Sequence, residues 1–132
     1  MMEFRSPLEI VAESLPLAIR EIYETCTAPE PKPVNDLRAI AGAYMADLRS
    51  RSQEAEFLDL DTAERAFNGC MELLASLEAT PSAEHHVAIQ ATALYFVLED
   101  DAEHDDSIVG FDDDWLVVET TSRILKRPIT GL

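Results

Sequence analysis

The apolar residues of this chain recur at helical spacing through most of its length. Leu8, Val11, Leu15, Ile19 and Ile22 fall three and four positions apart, which places them on one face of a helix. Ser6, Pro7 and Glu9 open that stripe with a capping hydroxyl, a proline at the first helical position and a carboxylate that can reach back. Pro16 lies inside the stripe and lacks the N–H that a helix interior needs. A kink or restart is expected there, with Ser14 as the second cap. Residues 27–33 (TAPEPKP) hold Pro29, Pro31 and Pro33 and read as a stiff linker between helices.

Beyond the linker, Asn35 is expected to cap a helix with the stripe Leu37, Ile40, Ala41, Tyr44, Met45 and Leu48, running on as far as Phe57. Asp61 and Glu64 have capping-box spacing, and Ala66, Phe67, Cys70, Met71, Leu74 and Leu77 form the inner face that follows. Gly69 within it either weakens the helix or permits close packing. Thr80, Pro81 and Ser82 start the next helix. Its stripe is Val87, Ala91, Leu94, Tyr95 and Leu98, and the opposite side carries Ile89, Ala93, Phe96 and Val97. A helix apolar nearly all round belongs at the centre of a fold.

The last apolar segment holds Trp115, Leu116, Val117, Val118, Ile124 and Leu125. Its β-branched residues also suit a strand. The ends favour a helix: three aspartates precede it, Arg123, Lys126 and Arg127 close it, and Pro128 stops it. With no second strand candidate, the expected fold is all-α. It is a single-domain bundle of five or six helices over residues 1–132, with an acidic turn between the last two.

That turn changes the picture. Glu99, Asp100, Asp101, Glu103, Asp105, Asp106, Asp112, Asp113 and Asp114 lie between two segments that must be buried. No Lys or Arg occurs between Arg65 and Arg123, and the formal charge of the 132-residue chain is −16. Such charge disfavours nucleic acid and anionic membrane surfaces, which need clustered Lys and Arg. It favours basic partners or cations. The first residues carry Glu3, Glu9 and Glu13 and no apolar core of a signal peptide, and the longest apolar run, 87–98, is too short to span a bilayer. A soluble, cytoplasmic protein is expected. Cys26 and Cys70 sit in apolar helical patterns without metal or redox spacing, as free buried thiols would.

No catalytic motif survives inspection. Counted from Asp105, the calcium-loop template puts Val109 where an oxygen ligand is needed and Leu116 where the bidentate glutamate belongs. His104-Asp105, with His85 or His86 upstream, matches the start of a metal-dependent phosphohydrolase site, but no aspartate follows Asp114 to complete it. A general cation site remains as an alternative, built from Asp101, His104, Asp105 and Asp113. His85 and His86 belong to the first turn of a helix, where at least one is expected to be exposed.

The pieces Tyr95, Asp101, Asp105, Gly110, Asp113 and Asp114 resemble the signature of the YkvA-like (DUF1232) bacterial family over about residues 93–118. There, a helix ends in an aromatic, an Asp recurs four residues later, then a Gly, then an Asp pair opens the next helix. The resemblance implies a small helical bacterial domain with no transferable activity, and a turn whose Asp105, Gly110, Asp113 and Asp114 are structural.

The sequence thus leads to a non-enzymatic cytoplasmic protein without a cofactor. Its acidic turn, displaying Asp100, Asp106 and Asp112, recognises a basic protein surface, as immunity-type or inhibitor-like proteins do. The alternative is a metal-binding protein or metal-dependent hydrolase that uses the aspartates with His104 and a divalent cation.

Overall fold

Serine hydroxyls and prolines punctuate the first part of the chain. In the computed structural model, which describes residues 6–52, 60–98 and 111–130, Ser6 Oγ accepts from the Glu9 N–H at 3.2 Å and starts α1 (Pro7–Glu13). Pro16 forces a restart, and α2 (Leu17–Thr25) follows. Ser14 does not cap it. Ser14 closes α1 and donates its hydroxyl to the Ile10 carbonyl, while Pro16 itself occupies the α2 N-cap without a side-chain bond.

After the proline linker come α3 (Val34–Ser52), α4 (Leu60–Ala79), α5 (Ala83–Phe96) and α6 (Asp112–Leu125). Asn35 lies inside the first turn of α3 rather than before it, and its side chain accepts from Arg38. Ser82 caps α5 through the His85 N–H. Among the described residues no strand occurs, so the fold is all-α, a bundle of six helices.

One apolar core joins residues of all six helices. The α5 helix is its centre and packs against each of the other five. Ala88, Ile89, Ala91, Ala93, Tyr95 and Phe96 are all buried along it, as an all-round apolar sequence requires. The Phe96 ring meets the edge of Tyr44 on α3 and tilts against Phe67 on α4. The Arg38–Glu78 and Arg49–Glu64 pairs show α3 and α4 running antiparallel. By contrast α4 and α6 run parallel, because Arg65 meets Trp115 near their starts and Arg127 meets Ser76 near their ends.

Gly69 makes the α4–α6 approach possible. A methyl group built there would stand 2.5 Å from Val118 Cγ1 and 3.2 Å from Ile129 Cδ1. Of the two readings of Gly69 from sequence, close packing is the one the fold uses.

Candidate functional site

Parallel packing brings the N-termini of α4 and α6 to one end of the bundle. Asp61 in the first turn of α4 and Asp112 and Asp113 in the first turn of α6 are exposed there. Carboxylates are favoured in that position, because unpaired backbone N–H groups and the helix dipole offset their charge. The C-termini of α3 and α5 reach the same end. Residues 53–59 and 99–110, outside the described residues, carry carboxylates but no Lys or Arg in their sequences.

The described cations at this end, Arg49, Arg51 and Arg65, each meet a partner within the protein, Arg51 Nε pairing with Asp47 Oδ2 at 2.9 Å. Arg49 Nε donates to Glu64 Oε1 at 2.9 Å, and its guanidinium also lies over the Phe67 ring. The Arg65 guanidinium lies 4.2 Å from the centre of the Trp115 ring, a cation–π contact. A groove of about 590 Å³ runs along α4 to the C-terminal segment, and Arg65 lines it together with Asp61, Glu64, Asn68, Glu72 and Thr130.

The three aspartates that open α6 differ in burial. Asp112 and Asp113 face water, but Asp114 is 7% exposed. Asp114 lies close enough to Cys70 to act on its thiol. Burial, with that carboxylate adding to it, pushes the Cys70 thiol far up, so it stays protonated. Cys26 is also buried and its thiol is raised by the same desolvation. Both are free cysteines.

Asp100, Asp101, His104, Asp105, Asp106 and Gly110 lie outside the described residues, as does Phe57. Asp113 is therefore the one member of the expected cation set that is placed. Among the described residues no group of three or more His, Cys, Asp or Glu side chains is arranged to hold a metal ion. No described helix is long and apolar enough to cross a membrane.

The opposite end holds polar contacts that the stripe pattern does not reveal. Lys126 ends α6 at φ 56°, ψ 44°. The Lys126 N–H donates to the Arg123 carbonyl and the Arg127 N–H to the Ser122 carbonyl. This pair of bonds is a Schellman turn with a lysine at the position usually held by glycine. The turn sends Arg127 back against α4 rather than leaving it at the end of α6. Its Nη1 donates to the Ser76 carbonyl at 2.8 Å, Nη2 to the Thr80 carbonyl at 2.8 Å, and Nε to His85 Nδ1 at 2.9 Å. Arg127 thus caps the carbonyl end of α4, where a cation is favoured.

The two histidines have different duties, and neither is exposed. His85 is an acceptor from Arg127, whereas His86 Nε2 lies 2.6 Å from the Lys32 carbonyl and must donate to it. Gln90, 3% exposed, completes the hold on the linker: its Oε1 accepts from the Lys32 N–H at 2.7 Å and its Nε2 donates to the Glu30 carbonyl at 2.9 Å. The sequence signal for this clamp is a lone amide inside an apolar helix, together with a proline-rich stretch that cannot pair its own backbone.

Of the residues that carry the family resemblance, Tyr95 and Asp114 are buried and Asp113 is exposed, while Asp101, Asp105 and Gly110 are outside the described residues. Comparison of the chain with family models, curated proteins and solved structures finds no match.

Proposed function

We propose that this protein is a non-enzymatic binding module whose acidic end recognises a basic protein surface. The observation that carries this reading is the exposure of Asp61, Asp112 and Asp113 at the adjoining starts of two parallel helices. Two helix dipoles reduce the cost of holding these charges together in the free protein. Arg49 is engaged by Glu64, Arg51 by Asp47 and Arg65 by Trp115, so the end presents carboxylate to an approaching partner. Residues 99–110, outside the described residues, hold Glu99, Asp100, Asp101, Glu103, Asp105 and Asp106 in sequence. A field of one sign speeds encounter with a basic partner and makes affinity fall with salt.

The test is fluorescence anisotropy with a labelled oligoarginine peptide at about 50 and about 500 mM NaCl. The double variant D112N/D113N is compared with E21Q/E24Q, which removes two exposed carboxylates from α2. Binding that weakens several-fold in the first variant and with salt, but not in the second, supports the reading. Equal losses in both variants would show that only net charge matters, and no binding at low salt would end the proposal. A tight, ion-selective rise in melting temperature with a divalent metal would favour the alternative, a metal protein that uses Asp113 and the neighbouring aspartates.

A further inference from the structure

Residues 126–130 form a strap across the seam between α4 and α6. Arg127 pins one end to α4. Ile129, 8% exposed, lies against Gly69, and Thr130 bonds to Glu72 through both its N–H and its hydroxyl. The pin is unusual in its chemistry. Arg127 is 8% exposed, yet every acceptor it uses is neutral: two carbonyls, the Ser76 hydroxyl and His85 Nδ1. A buried guanidinium tolerates this only while all its N–H groups find lone pairs.

We propose that Arg127 and His85 form a pH-sensitive latch that holds this strap closed while the imidazole is neutral and releases it when Nδ1 takes a proton. Protonation removes the lone pair that accepts from Arg127 Nε and sets a second cation against the first. The groups around the ring do little to relieve this. Arg127 faces it from the strap, and Glu84 on its own helix is the nearby carboxylate that favours the charge. From α4 come the neutral Ser76 and Thr80 groups on the same guanidinium, and Glu78 is turned to Arg38. His86 lies next in sequence but donates to the Lys32 carbonyl, a bond that survives in either protonation state.

The sign follows from linkage. Burial first, and Arg127 second, hold the His85 imidazole below its ordinary value in the folded protein. The open or unfolded chain then binds the proton more readily than the latched one. The latch is at full strength above the ordinary histidine pKa and loses strength as pH falls through it.

The experiment is hydrogen exchange at the Arg127 and Thr130 amides between about pH 7.5 and 5.5, with Trp115 emission as a second readout, since the indole lies beside Gly69 and Ile129. In the wild type, strap protection, corrected for intrinsic exchange, should fall about tenfold across this range while the far-UV helix signal stays constant. His85→Gln removes the titrating ring. Whether that variant holds the strap closed or leaves it open at both pH values, loss of the transition supports the latch. A transition that survives in His85→Gln with the same midpoint belongs to a group other than His85 and overturns the latch, as does a wild type without any transition. Should His85→Gln not fold, Arg127→Gln answers the same question, and His86→Gln should keep the wild-type behaviour.

Discussion

Thr92 on α5 and Thr121 on α6 share a hydrogen bond at the centre of the bundle, with their hydroxyl oxygens 2.7 Å apart and the residues 1% and 0% exposed. Thr92 has one proton and gives it to the Ala88 carbonyl, so Thr121 is the donor between them. Tyr23, fully buried, donates to the same carbonyl. Desolvation raises its hydroxyl far above the ordinary tyrosine range, although Thr92 and Thr121 act against this.

This cluster should respond non-additively. Thr92→Val alone leaves the buried Thr121 hydroxyl without its acceptor and should cost about 1–3 kcal/mol, while Thr121→Val removes only one of the two bonds of Thr92 and should cost less. The double Val variant should cost less than the sum, because neither polar group remains to be satisfied. Denaturant unfolding of the three variants decides it, and strict additivity would show that the hydroxyls do not interact.

Gly69 and Gly42 should respond to alanine with opposite signs. Gly42→Ala meets nothing within 4 Å and should stabilise α3 by about 0.5–1 kcal/mol through helix propensity. Gly69→Ala gains the same propensity but drives a methyl into Val118 and Ile129, for a net loss of about 1–3 kcal/mol. Thermal melts of both variants test the α4–α6 seam directly.

At the end of α6, Lys126→Gly should stabilise by about 0.5–1 kcal/mol, since glycine takes the left-handed conformation without the steric cost that lysine bears. No change in melting temperature would mean that the lysine side chain gives back what its backbone costs.

The aspartates of α6 should separate by burial. Asp114→Asn should cost about 1–2 kcal/mol, because it alters a buried group at a helix start. Asp112→Asn, at an exposed position, should fall within about 0.5 kcal/mol of wild type. Equal effects in chemical denaturation would contradict the burial pattern.

Neither thiol should react at a measurable rate in the native state. Cys26 is 6% and Cys70 1% exposed, and burial holds both in the unreactive protonated form. A chromogenic disulfide reagent should titrate both cysteines only in denaturant. Rapid modification of Cys70 without denaturant would show that α4 and α6 open readily.

Much of this fold is written in residue spacing. The stripe Leu37, Ala41, Met45 and Leu48 is buried along α3 as its period requires, and the restart at Pro16 follows from one missing donor. Leu94 shows the limit: it belongs to the apolar stripe of α5 yet is half-buried, while Ile89 and Phe96 on the opposite side are fully inside. Periodicity locates a face but cannot rank two apolar faces on one helix. Capping is legible where a hydroxyl stands beside proline, as at Ser6 and Ser82, and misleading at Ser14, whose hydroxyl found a carbonyl nearer than the next helix. The partners of Gln90, Thr121 and Arg127 lie far away in sequence, and composition gives no hint of such pairings. Arg127 in particular reads as a charge for the end of α6 and instead serves α4. At the acidic end, the sequence gives the charge but not the difference between buried Asp114 and exposed Asp112.

The docking of the first two helices on α5 also orders events during synthesis. Tyr23 finds its acceptor 65 positions later, and the Lys32 N–H meets Gln90 after 58. A ribosome adding about 5–20 residues per second leaves Tyr23 waiting about 3–13 s for Ala88 to be made. The pair α3 and α4 can close earlier, since their contacts lie within one stretch of chain. Until α5 emerges, the side of α1 and α2 that carries Val11, Leu15 and Ile19 lacks its main partner helix. The native contacts of α1 and α2 with α5 therefore cannot form until well after the first helices have been made.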